Sequence, residues 1–245
     1  MAKSLRLDAT ELSVLSVLLG LRITPLSTGK MKRASALESL VRRRIVDDKV
    51  ERVSLPVATL LAVLARPRHQ IAVTHHGSTS PHTVVAIQEL THVVHTTDQT
   101  IEILTPARDA LSTVFPHETS NNGRSFSLPG RTWHDMVAQA RFANEQQLAR
   151  MAELDGADVN DAVVAARLAK RHGEREDARI LSYRGQSRWR GTELSWIPDG
   201  EAHWLVDDGG RFGSAMNLAD RRATFSRSGV GAAVQTALAT VDKRV

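Results

Sequence analysis

The chain has 245 residues, a length that suits one large domain or two closely packed halves with a sizeable core. It has no cysteine, which excludes disulfides, thiolate zinc sites and cysteine nucleophiles. Thirty-two Lys and Arg face 27 Asp and Glu, a net charge of +5, so nucleic acid or an acidic protein surface enters as a partner class, beside the plainer reading of a solvated, arginine-rich surface.

Aromatic residues make up only 4% of the chain, so its core must rest on Leu, Val, Ile and Ala. No run of eighteen apolar residues is present, which argues against a membrane-spanning helix. Near the start, Asp8 and Glu11 have the spacing of a capping box that opens an amphipathic helix ending at Gly20, and they speak against a signal peptide. The expected location is the cytoplasm.

Helices are predicted over 11–19, 31–43 and 57–65, the last stopped by Pro67. The period then changes to alternation in "QIAVTH", and three further strands read as "TVVAIQ", "LTHVVHT" and "TIEILT". Gly77, Ser78, Thr79, Ser80 and Pro81 form the loop after the first of these. Thr105 and Pro106 open a helix to about residue 115. Residues 116–130 read as a linker.

In the second half, Thr132 is expected to cap one helix from Trp133 to about Leu154, followed by a helix over 161–171. A short helix is predicted over 174–183. Four strands follow as "TELSWI", "AHWLVD", "RFGSAM" and "ATFSRS", then a last helix from about residue 229. "PDGE" reads as a hairpin turn, and so does the Asp207–Gly210 stretch, whose acids lack the alternation of a calcium loop and whose glycines lead into no helix.

Each half thus reads as helices, four strands and a helix. The predicted fold class is α+β: a central antiparallel sheet with helical bundles, in two pseudo-symmetric meander-and-helix halves, 1–130 and 131–245, packed as one domain.

No set of side chains with catalytic spacing emerges. His92 and His95, three apart on a strand, point to opposite faces, and adjacent His75 and His76 diverge. His75, His82 and His92 can approach one another across strands, but no acidic partner stands near them in the sequence. The expectation is therefore no metal, no cofactor and no enzymatic activity.

Basic residues around 30–55 flank a helix, strand, turn and strand, which keeps a winged-helix-like nucleic-acid binder as the alternative function. Acidic Asp47, Asp48 and Glu51 interleave with them, so nucleic acid is not the expected partner. Trp196 and Trp204 flank one hairpin and read either as core or, with Trp189, as an apolar anchor rimmed by Arg184, Arg188 and Arg190.

Three stretches carry a family resemblance: "LDATELSVLSVLLGL" at the first helix, "VATLLAVLARPRHQIAV" at a helix running into a strand, and "LVDDGGRFGSAM" late in the chain. In these and in the order of elements the sequence resembles the EspG family, cytosolic chaperones of type VII (ESX) secretion systems. The resemblance implies a quasi-twofold α+β fold without catalysis. It also implies a client, the helical tip of a PE–PPE-type dimer kept soluble for export, held on the central sheet, a sheet loop and the C-terminal helices. By position, that surface takes in Gly77–Pro81, Arg184, Arg188, Trp189, Arg190, Trp196 and Trp204. The basic pI and the short Gly77–Pro81 loop depart from the family's pattern.

Overall fold

A computed structural model describes residues 4–47, 49, 52–89, 91–98, 100–104, 111, 114–115, 123–200 without 185–186, 202–208, 221–227 and 229–243. Twelve strands and seven helices occur among them. The first unit runs β1 (Ser4–Arg6), α1 (Ala9–Leu18), α2 (Arg33–Arg42), β2 (Val46–Asp47), β3 (Arg52–Val53) and α3 (Leu55–Ala65), then a meander of β4 (His69–His75), β5 (Thr83–Gln88), β6 (Thr91–Thr96) and β7 (Thr100–Leu104). The second runs β8 (Ser125–Pro129), α4 (Gly130–Gln139), α5 (Glu145–Leu154) and α6 (Val159–Lys170). A 3-10 turn (His172–Glu174) leads into a meander of β9 (Glu176–Arg184), β10 (Ser187–Asp199), β11 (Ala202–Asp207) and β12 (Arg222–Arg227), followed by α7 (Val230–Lys243).

Ten strands form one antiparallel sheet in the order β1-β7-β6-β5-β4-β9-β10-β11-β12-β8. In both units the meander runs outward from the centre, and the unit's own leading strand closes the outer edge. The seam is the β4–β9 pair, in register from His69 opposite Ser182 to His75 opposite Glu176. The fold is α+β with two pseudo-symmetric halves.

Alternation in the strands divides the core. Gly191, Leu181, Gln70, Ala86 and Val93 stand opposite one another in successive strands and so share one face. On that face α1–α3 cover the first unit through Leu12, Leu40, Leu61, Val93 and Ile101. The second unit's share lies under α4–α6, through Trp133, Leu148, Leu168, Trp204 and Phe225. The opposite face carries Ile71, Val85, Ile180 and Trp196, covered by α7 together with Leu111 and Phe115. The Phe115 N–H donates to the Leu111 carbonyl at 2.9 Å, one helical turn at the place corresponding to α7.

Several predicted elements are corrected. Residues 176–184 form strand β9, not a helix, because β4 and β10 pair with both of its edges. The predicted linker contains β8, which pairs with β12 from Ser125 to Pro129. The single helix from Trp133 is two: α4 ends at Gln139, and Asn144 opens α5 with a capping box to Gln147. Thr132 lies inside α4, hydrogen-bonded to Asp155. The Asp8–Glu11 capping box is present as expected, and the hairpin expected at "PDGE" appears as the antiparallel pair β10–β11, with Asp199 opposite Ala202. The predicted helix start at 105–106, Gly209, Gly210 and the "RFGSAM" strand lie outside the described residues. No helix among the described residues is long and apolar enough to cross a membrane.

Candidate functional site

Two features meet at the seam between the units. One is a cleft of ≈ 750 Å³ on the helix-covered face, between the α1–α3 layer and the central strands. Its floor is made by Gln70 of β4, Val84 of β5, His95 of β6 and Tyr183 of β9, so both units contribute. The Tyr183 hydroxyl donates to Gln70 Oε1 at 2.7 Å and fixes the floor across the seam. Ser80 and Pro81 line its edge, and the segment from Gly20 to Leu26 forms one wall. Gly77–Ser80 are exposed and Pro81 is half-buried. A positive φ of 77° at Gly77 allows the tight reversal after β4.

The second feature is polar and sits where β4 ends and β9 begins. His75 stacks on His82, ring centroids 4.1 Å apart. His75 Nδ1 and His82 Nε2 each lie 3.6 Å from Glu176 Oε1. Glu176 thus supplies the acidic partner that the histidines lack in the sequence. It was hidden because residues 174–183 read as a helix, on which it would not face β4. Burial pushes the Glu176 carboxyl up, against the opposing pull of His75, His203 and a hydrogen bond from Trp196. Burial, and then the neighbouring His75, push His82 down.

His92 does not join this group. It pairs with Ile87, itself opposite His69 at the far end of β4. His92 and His95 are both buried.

Beside the histidines runs a buried ionic network. Arg175 is 2% exposed and donates to Asp177 Oδ1 (3.0 Å), Asp208 Oδ2 (2.7 Å) and Ser195 Oγ (2.9 Å). Ser195 Oγ donates to Asp177 Oδ1 at 2.5 Å. Burial opposes the charge on Arg175, but Asp208 and Asp177 outweigh it and hold the guanidinium above its ordinary range. The Ser195 hydroxyl accepts from a guanidinium and donates to a carboxylate, an arrangement that locks β9 to β10. His76 meets His172 edge-on at 4.3 Å. His172 is pushed down to about 4, first by burial, then by His76 and Arg175.

The predicted aromatic anchor is corrected. Trp196 and Trp204 are 2% and 3% exposed. Trp196 pairs with Leu205 and Trp204 with Ile197, so the two indoles point to opposite faces of the sheet and do not form a cross-strand pair. Trp196 packs edge-on against Phe115, and Trp204 against Phe126. Arg184 lies at the end of β9 and Arg188, Trp189 and Arg190 in β10, but their side chains lie outside the described residues. Of the predicted partner surface, Ser80 and Pro81 line the cleft. The cleft floor, Glu176 and the Arg175 network were missed. Neither a family model nor a curated protein matches the chain.

Proposed function

We propose that this chain is a client-binding protein of the EspG type, a cytoplasmic secretion chaperone that holds the helical tip of a PE–PPE-type substrate and keeps it soluble for type VII export. The observation that supports the reading is the cleft at the seam. It is large enough to take several side chains of a helix tip. Half-buried Gln70 and Tyr183 on its floor give it polar and aromatic surface together, and exposed Ser80 and half-buried Pro81 lie at its edge. Binding there needs no reacting group, in keeping with Ser195 and Arg175 being consumed by structural contacts.

The test is a pull-down and titration of a co-expressed PE–PPE-type pair with Ser80→Trp and Pro81→Glu variants, which alter the cleft edge without touching the core. Loss of at least about 10-fold in affinity, roughly 1.4 kcal/mol, is expected in variants whose circular dichroism is unchanged. Full-strength binding by both folded variants refutes the cleft as the client site.

A further inference from the structure

We infer that His75, His82 and Glu176 form a zinc site that ties the β4–β5 hairpin of the first unit to strand β9 of the second. Each of the three offers one ligand atom, and these atoms all lie within 4.8 Å of one another. The two contacts to Glu176 Oε1, both 3.6 Å, are longer than hydrogen bonds. They are close to the edge of a zinc tetrahedron: bonds of about 2.0–2.1 Å place ligand atoms about 3.3–3.4 Å apart. Bringing both imidazole lone pairs onto one ion requires the His75 ring to turn out of its stack on His82, a movement open to a side chain that is 65% exposed.

The donor chemistry narrows the ion. Two imidazoles and one carboxylate suit zinc and its neighbours, whereas calcium and magnesium demand oxygen. Three protein ligands leave a fourth position, which water fills at this solvent-accessible edge.

Two further observations indicate a prepared site. His82 Nε2 is shielded from solvent and makes no hydrogen bond among the described residues, although it faces Glu176. The other ring nitrogen, Nδ1, lies 3.0 Å from Thr83 Oγ1. A proton on Nδ1 donated to that hydroxyl leaves the Nε2 lone pair facing the site, the orientation that partners of zinc-bound histidines impose. The backbones are also pinned: His82 N–H donates to Val73 O at 2.9 Å, and His76 N–H to Arg175 O at 2.8 Å.

The experiment uses the untagged full chain after chelator treatment. Zinc is titrated by calorimetry, and cobalt is followed by its visible d–d absorption. One equivalent of zinc is expected, with a melting temperature that rises and saturates at that equivalent, and with no such rise from magnesium. His75→Ala, which removes an exposed side chain, and Glu176→Gln are each expected to weaken zinc by more than about 10-fold, the least that even an indirect metal partner costs. His76→Ala, at the adjacent position on the diverging side chain, leaves affinity unchanged. Absence of stoichiometric binding in the parent chain overturns the inference. So does undiminished affinity in folded His75→Ala, or a loss that follows His76→Ala instead. If Glu176→Gln unfolds, His75→Ala decides alone.

Discussion

Trp196 illustrates how one residue serves two environments. Its ring fills the core under α7 and Leu111, while its side chain hydrogen-bonds Glu176 at the sheet's end. Trp196→Ala therefore removes a large buried volume as well as a polar partner, and about 3–5 kcal/mol of stability should be lost in urea unfolding. Trp204→Ala, set in the other core, should cost a similar amount, since neither indole is available to a partner. The Arg175 network has a sharper signature. Asp177→Ala leaves a buried guanidinium short of one of its two carboxylates and should destabilise by about 3 kcal/mol or more. Ser195→Ala, which removes a hydroxyl joining the two charges, should cost about 1–3 kcal/mol. His172 makes stability depend on pH. Its folded value of about 4 lies below the ordinary 6.5, so between those values the unfolded chain binds the extra proton. Stability should thus fall as pH drops from 6.5 towards 4 and lose nothing more from this group below that. Water reaches the half-buried ring, so the effect is on the order of 1–2 kcal/mol. His172→Gln should flatten that segment of the stability profile, measured by denaturant midpoints at several pH values.

At the level of elements, local chemistry was legible where side chains answer the backbone directly. Asp8 accepts from the Thr10 N–H at 2.8 Å, and Glu11 accepts from the Asp8 N–H at 2.8 Å. Asn144 and Gln147 repeat the arrangement at α5. Asp8→Ala and Asn144→Ala should each cost about 1 kcal/mol, readable as shifted midpoints without change in denaturant slope. Legibility failed where tertiary pairing decides. In β9, Ala178, Ile180 and Ser182 alternate inward, yet the surrounding Glu, Asp, Ala and Arg are common helix residues after a glycine stop. Two flanking strands override that preference. Losing β9 hid Glu176 from the histidines and hid the seam. The strand β8 was lost for a different reason: five residues beside a Gly- and Asn-rich stretch carry turn composition, and only β12 makes them a strand. The cleft was invisible for a third reason, because its floor joins Gln70 and Tyr183, which are 113 residues apart.

For the whole molecule, the repeated order of helices, strands and helix in the sequence was enough to anticipate two halves, but not how they join. They join by a full antiparallel pairing of β4 with β9, backed by a core in which Ile71 and Val73 of one unit pack with Ala178 and Ile180 of the other. Each unit has a core under its own helices, but the core on the opposite face is shared across the continuous sheet, so the two should unfold together. The placement of the fluorophores makes this testable without any variant. The chain has four tryptophans, Trp133, Trp189, Trp196 and Trp204, all in the second unit. Intrinsic fluorescence excited at the indole band therefore reports on the second unit alone, whereas far-ultraviolet circular dichroism reports on the helices of both. One cooperative body requires the two probes to give the same urea midpoint and the same slope. A fluorescence transition displaced from the circular dichroism transition would mean that the seam is weaker than either half. Zinc bridging His75 and His82 to Glu176 should then move both probes together, because its ligands lie on opposite sides of that seam.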